Sequence, residues 1–197
     1  MESRTRFPVL VALAVGVAAL QAPPATAKLY ETRDAALARV FGAGARFAPR
    51  TVYLTPAQID AAASLARAKI EPPRFTYWVA TRGDSLLGWA FLDSRIVRTM
   101  PATFFVAVRP DGKLLRADVL AFQEPEDYLP PRRWLDRLAG CALSPRLRPG
   151  DAVDGITGAT LSARATTETI RRCLALVQVL EPQTIQGEPA APAAQHH

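Results

Sequence analysis

A short stretch near the end of the chain, DGITGATLS (154–162), carries the residues best suited to chemistry. It stands directly before a pattern of helical spacing, so its unpaired backbone N–H groups and the helix dipole favour an anion. Gly158 and Ala159 have little or no side chain, which lets a bulky group approach the backbone. Thr160 offers an oxygen for attaching a phosphate, and Ser162 is the expected N-cap of the helix. The stretch therefore predicts a phosphate site at a helix N-terminus.

The rest of the composition excludes several other kinds of chemistry. The only two histidines, His196 and His197, stand at the extreme C-terminus, which argues against histidine catalysis and metal ligation. The sequence has no C-x-x-C-H haem motif and no cluster of four thiols for an iron–sulfur centre. The formal net charge is +6, but the basic residues are scattered, so nucleic acid is a poor candidate partner. A positive surface suits an exported domain near an anionic membrane, or acidic redox partners.

The two cysteines, Cys141 and Cys173, leave two alternatives open. In an oxidising compartment they can form a disulfide that ties the loop before the motif to the last helix. The other alternative is two buried free thiols. Sequence does not supply the Cα separation that a disulfide requires.

The N-terminal residues 1–27 are typical of a secretory signal peptide. Arg4 and Arg6 form a basic start, an apolar run follows over 7–20, and Ala25-Thr26-Ala27 is a small-x-small cleavage site. The alternative is an uncleaved membrane anchor, but the apolar run falls short of the ~20 residues that span a bilayer. We therefore expect an exported protein, periplasmic or at the outer face of the cytoplasmic membrane. The Pro/Ala/Gln-rich tail, 182–197, is predicted to be disordered.

The elements between these ends predict an α+β fold: an antiparallel sheet with flanking helices in a single domain. The segment 28–73 is predicted to be helical, with one helix ending at Gly42 and another capped by Thr55. Four strands follow, with Asp111-Gly112 as a hairpin turn. Their predicted ranges are 75–81, 86–93, 104–108 and 114–122. A short helix begins at Pro131, and a final helix follows the motif. Because the strand pairs are local hairpins, a doubly wound parallel sheet is not expected.

The motif resembles the flavinylation sequence Asp-x-x-(Ser/Thr)-Gly-Ala-Thr of FMN-binding domains. Such domains occur in FMN-carrying subunits of the sodium-translocating NADH:quinone oxidoreductase and of Rnf complexes, and in small exported electron-transfer proteins. Average composition predicts the motif by chance in about one chain of this length in a few thousand. The resemblance implies FMN joined through its phosphate to the hydroxyl of Thr160 by a flavin transferase.

The resemblance implies an FMN-binding domain over 74–181. The cofactor-binding residues that it implies are Asp154, Thr157, Gly158, Ala159, Thr160, Leu161, Ser162, Glu124, Tyr128 and Trp134. For the last three an alternative stays open: Glu124 as a solvated charge, Tyr128 and Trp134 as packing aromatics. The ion-pumping subunits usually have a Glu-Thr-Pro-Gly turn where this chain has Glu-Pro-Glu-Asp (124–127), which favours a stand-alone exported branch.

The resemblance thus implies an exported electron carrier with covalent FMN and no catalytic or metal-binding residue of its own. Its expected partners are the flavin transferase and membrane-bound or exported redox proteins. Two alternatives remain from the sequence. One is a flavin-dependent reductase with a specific acceptor, and the other is a ligand-binding module whose motif is unmodified.

Overall fold

The structure, a computed structural model, describes residues 28–181. The predicted signal peptide and the predicted C-terminal tail lie outside the described residues. The elements in chain order are β1 (Lys28–Leu29), α1 (Arg33–Phe41), β2 (Arg46–Tyr53), α2 (Pro56–Ala66), β3 (Arg74–Arg82), β4 (Ser85–Ile96), β5 (Pro101–Val108), β6 (Leu114–Phe122), α3 (Arg132–Asp136) and α4 (Thr160–Leu180). A single 3-10 turn, Glu126–Tyr128, lies between β6 and α3.

The strands form one six-stranded antiparallel sheet in the order β1-β6-β5-β4-β3-β2, which confirms the α+β prediction. The β5–β6 hairpin turns at Asp111-Gly112 as predicted. Gly112 has φ 76°, a value that glycine adopts without strain. Arg109 N–H donates to the Lys113 carbonyl at 2.8 Å and closes the turn. The four strands predicted from the sequence are β3 to β6.

The N-terminal segment 28–73 is not only helical, and this part of the prediction was wrong. It contains α1 and α2 but also the two outer strands, β1 and β2, of the same sheet. β2 lies at the sheet edge, is exposed along most of its length and contains Pro49. An edge strand needs no apolar face, and proline is tolerated there. The alternating pattern that reveals a strand is therefore missing from β2.

The helices cover both faces of the sheet. α2 and α4 pack on one face, where Ile170, Leu174 and Val177 are buried against the sheet. α1 packs on the other face, with Leu37 and Phe41 buried. α1 ends at Gly42, and Thr55 caps α2 in a capping box with Gln58; the Gly42 stop and the Thr55 cap were both predicted. None of the helices within 28–181 is both long and apolar enough to cross a membrane.

One glycine permits two central strands to approach closely. Gly88 in β4 has φ 142°, and a Cβ placed there would lie 2.1 Å from the carbonyl oxygen of Val108. The β3–β4 register shifts nearby, between Ala80 and Thr81. No other residue type fits at this position without moving backbone.

Of the two alternatives left open for the cysteines, the structure has free thiols at both Cys141 and Cys173. Cys141 follows α3 and accepts the N–H of Leu114, at the start of β6, on its carbonyl oxygen at 2.9 Å. Cys173 is buried beneath α4 beside Phe91 and Asp93 of β4. Cys141 is half-buried in the loop after α3 and Cys173 is buried on α4, so the two thiols lie on different elements around the same core.

Candidate functional site

The predicted motif is the turn that delivers the chain into α4. The N–H of Ala159 donates to the Ile156 carbonyl at 3.1 Å, and the N–H of Ala163 donates to the Ala159 carbonyl at 3.0 Å. These bonds begin the helix at Thr160, three residues earlier than an N-cap at Ser162 would place it. Ala159 is the N-cap and no side chain caps the helix. The prediction of Ser162 as N-cap was therefore wrong, because that residue already lies within the first turn.

The start of α4 is rich in donors. The first N–H groups of a helix have no intrahelical acceptor, and the helix dipole adds positive potential there. The hydroxyl oxygen of Ser162 is buried and has no hydrogen-bond partner among the described residues. Buried hydroxyls normally have a partner, so this one marks a place where an acceptor is expected. The side chain of Thr160, at the first helical position, is exposed.

The turn before the helix is bare and accessible. Gly158 has φ 80°, and a Cβ added there would meet no atom within 4 Å. Thr157 and Gly158 are both exposed. A left-handed backbone with open space above it suits the close approach of a bulky group. The glycine is thus required by the backbone and leaves room at the same time.

A cleft of about 330 Å³ lies over this turn. Four predicted residues from Gly158 to Leu161 line it, together with Ser162, Tyr128 and Arg98. The guanidinium of Arg98 lies 4.2 Å from the centre of the Tyr128 ring, a cation–π contact. Leu161 is 46% exposed, so an apolar side chain faces solvent beside the cleft. No carboxylate is among the described residues that line it.

Arg98 is the site residue that sequence reasoning missed. It lies in the connection between β4 and β5, remote in sequence from the motif. Only the register of the sheet and the position of α4 above it bring this arginine to the helix start. No local pattern distinguishes it from the other arginines of the chain.

Glu124 holds the backbone turn that carries Arg98. Its side chain is buried and accepts the backbone N–H groups of Arg98, Thr99 and Met100 at 3.1, 2.6 and 2.8 Å on one carboxylate oxygen. Burial alone would raise the pKa of Glu124, but these N–H donors and the nearby charge of Arg98 lower it below its ordinary value. The residue is neither a solvated charge nor a lining residue of the cleft. It fixes the turn that presents Arg98.

Trp134 holds the other end of the motif. It is 3% exposed, and its indole N–H donates to the backbone carbonyl of Asp154 at 2.8 Å. The carboxylate of Asp154 is exposed and pairs with Arg137 at 3.1 Å. Trp134 is therefore a core residue that anchors the motif backbone, and its predicted contact with a flavin ring has no support in its position. Tyr128, by contrast, does line the cleft.

Residues 99–175 match the family model described as the FMN-binding domain. This segment runs from the β4–β5 connection into α4 and includes the complete motif with Glu124, Tyr128 and Trp134. Residues 99–175 are thus similar to FMN-binding domains. The family match confirms the resemblance inferred from the motif. Among curated proteins, no significant match to the chain was found.

The donors at the start of α4 fit the phosphate of FMN. The hydroxyl of Thr160, the unpaired N–H groups of the first turn and the orphaned hydroxyl of Ser162 are all able to contact phosphate oxygens. The cation of Arg98 adds attraction for a negative group. The exposed Leu161 and the Tyr128 ring provide apolar surface for an aromatic ring system.

Proposed function

We propose that the protein is an exported electron carrier whose FMN is joined by a phosphoester bond to Thr160. One observation carries the proposal. Thr160 presents an exposed hydroxyl at the first residue of a helix that is otherwise anchored in the core, within a segment that matches the FMN-binding domain. Attachment forms one P–O bond from the FMN phosphorus to the threonine oxygen, which gives up its proton. The pyrophosphate bond of an activated flavin dinucleotide donor breaks, and the nucleoside monophosphate leaves with the proton.

The chain's own residues have binding and orienting roles in this proposal. The N–H groups at the start of α4 and the Ser162 hydroxyl donate to the phosphate oxygens, and Arg98 balances their charge. Glu124 and Trp134 fix the two backbone segments from which these groups project. Such supporting contacts limit how far a site can loosen.

Bound FMN supplies the redox chemistry, because isoalloxazine can take up one or two electrons. A covalent link suits an exported protein, since a weakly held cofactor would be lost by dilution. The partners proposed are a flavin transferase for maturation and membrane-bound or exported redox proteins for turnover. The proposed location is the periplasm or the outer face of the cytoplasmic membrane. N-terminal sequencing of the exported protein should begin at Lys28.

The intact mass of the protein, co-expressed with an active flavin transferase and purified from the exported compartment, tests this function. We expect the sequence mass plus one FMN residue, with the addition on the peptide that contains Thr160. Thr160→Ala should abolish the addition and Thr157→Ala should reduce it. Thr51→Ala, a change on the exposed edge strand β2, is the matched control and should load fully. An unmodified protein, or an addition on another peptide, contradicts the proposal.

Reduction kinetics separate a carrier from a reductase. A carrier should be reduced and reoxidised by partner proteins while turning over no small-molecule acceptor catalytically. Steady turnover with one defined acceptor would instead assign the reductase function.

A further inference from the structure

A buried arginine on α4 lacks most of its hydrogen-bond acceptors. Arg172 is 4% exposed, and its Nη2 donates to the Glu71 carbonyl at 3.0 Å. Its Nε and Nη1 atoms are buried and have no hydrogen-bond partner among the described residues. The carboxylate of Asp93 lies 3.6 Å from Nη1, an ion pair that is too long for a hydrogen bond. A guanidinium has five N–H donors, and leaving them unpaired in the interior is costly.

Arg172 lies beside a cavity. A volume of about 310 Å³ lies between β3, β4 and α4, with Arg172 in its wall. That volume is at the lower end of the range for small-molecule sites. Most of the wall is apolar, and the main apolar residues are Pro72, Phe75, Phe91, Leu92 and Leu176. Thr76 and Ser94 add hydroxyl groups to the wall, and charged side chains form the rest of it.

The charges around this cavity favour an anion. A second buried guanidinium nitrogen, Nη2 of Arg95, also has no partner among the described residues. Four cations stand in or beside the wall, and two carboxylates oppose them. The cations are Lys69, Arg74, Arg95 and Arg172; the carboxylates are Glu71 and Asp93, bonded to Lys69 and Arg95 respectively. One added carboxylate would leave the cluster closer to neutral, whereas an added cation would increase its charge.

The cavity is separate from the flavin cleft. Arg172 lies twelve positions beyond Thr160 on the same helix, which corresponds to about 18 Å along its axis. The two cavities share no lining residue.

We propose that this cavity binds a small monocarboxylate with an aryl or short alkyl body. The carboxylate accepts hydrogen bonds from the free donors of Arg172, and the body packs against Phe91 and Leu176. Charge-assisted bonds of this kind are the strongest that a small acid can make with a protein. The site does not depend on FMN, so it can be tested on protein with or without the cofactor.

A titration of the ¹⁵N-labelled full-length chain with benzoate at pH 7, followed by amide chemical shifts, tests the site. We expect saturable shifts at the amides of Phe91, Leu92 and Leu176, with a dissociation constant of about 1 mM or tighter. Benzyl alcohol has a similar ring without the charge and should bind at least about tenfold more weakly.

Three variants assign the contact. Arg172→Gln should weaken benzoate binding about tenfold or more. Arg74→Glu changes an exposed residue at the cavity entrance and should weaken benzoate binding about threefold. This variant still tests the site if Arg172→Gln does not fold. Arg46→Glu makes the same charge change on β2, away from the cavity, and should leave binding unchanged.

Several results would overturn the proposal. These are no saturable shift, equal binding of benzoate and benzyl alcohol, and benzoate shifts confined to the Thr160 turn. Equal weakening by Arg74→Glu and Arg46→Glu would also overturn it, because that would show a general charge effect.

Discussion

Replacing Glu124 by glutamine should destabilise the protein through the turn that carries Arg98. The substitution keeps the size and an acceptor oxygen but removes the charge. One oxygen of Glu124 accepts three backbone N–H groups, at 2.6, 2.8 and 3.1 Å, and the residue is 7% exposed. Water therefore cannot replace the carboxylate. We expect the free energy of unfolding to fall and the Arg98 turn to loosen.

The size of the effect follows from the three hydrogen bonds. A bond to a charged group contributes about 1.5–3 kcal/mol, and a neutral one about 0.5–1.5 kcal/mol. Neutralising the acceptor thus costs about 1 kcal/mol per bond, and about 3 kcal/mol is an upper limit because the three donors share one oxygen. We expect a loss of about 2 kcal/mol at pH 7, measured by urea unfolding monitored through tryptophan fluorescence.

The loss should depend on pH in a defined direction. The pKa of Glu124 is below its ordinary value of 4.5 in the folded protein. Its contribution is therefore complete above pH 4.5 and disappears as the pH falls through the lower folded pKa. The difference between wild type and Glu124→Gln should be constant from pH 6 to 8 and shrink below pH 4.5.

Asp127→Asn is the matched control for this experiment. It removes one negative charge three residues further along, from an exposed side chain, and should change the free energy by no more than about 0.5 kcal/mol. The reasoning fails if Glu124→Gln is as stable as wild type at pH 7. It also fails if the difference between the two proteins persists undiminished at pH 3.

Three further predictions concern the core. Trp134→Phe should cost about 1–2 kcal/mol in urea unfolding and lower flavin content, because the hydrogen bond to the motif backbone is lost; unchanged flavin content would contradict its anchoring role. Gly88→Ala should cost more than about 4 kcal/mol or abolish soluble expression, since its Cβ would collide with the Val108 carbonyl; a wild-type melting temperature would refute this contact. In a thiol titration, folded protein should react at Cys141 only, because burial holds the pKa of Cys173 well above its usual range, and unreduced denatured protein should show both thiols; fewer would show a disulfide.

The sequence was most informative where local physics decides the structure. Thr55 and Pro56 define a helix start by capping and by a preset φ angle, and Asp111-Gly112 defines a hairpin through the backbone that glycine permits. β3 to β6 are rich in β-branched and aromatic residues and are bounded by turns, and the central strands are buried on both faces. These features are encoded within a few residues, so a single sequence reveals them.

Features that depend on tertiary placement were not accessible in the same way. β2 has no buried face, so nothing in its pattern marks it as a strand. Arg98 reaches the cleft only because of the sheet register. The carboxylate of Glu124 is buried because it accepts three backbone N–H groups from a turn that is distant in sequence. Ser162 has the residue type of a cap but not the position of one. The position of a helix start depends on the turn before it, and here the Ala159–Ile156 bond sets that start.

The first residue of α4 is exposed while most of the helix is buried, and this difference determines when Thr160 can be modified. Thr160 is exposed, while Ser162, Ala163 and most residues from Thr166 to Val177 are buried. A modifying enzyme can therefore reach the hydroxyl on the fully folded chain, and no part of the core has to open. With the attachment proposed at Thr160, folding and cofactor loading become independent steps.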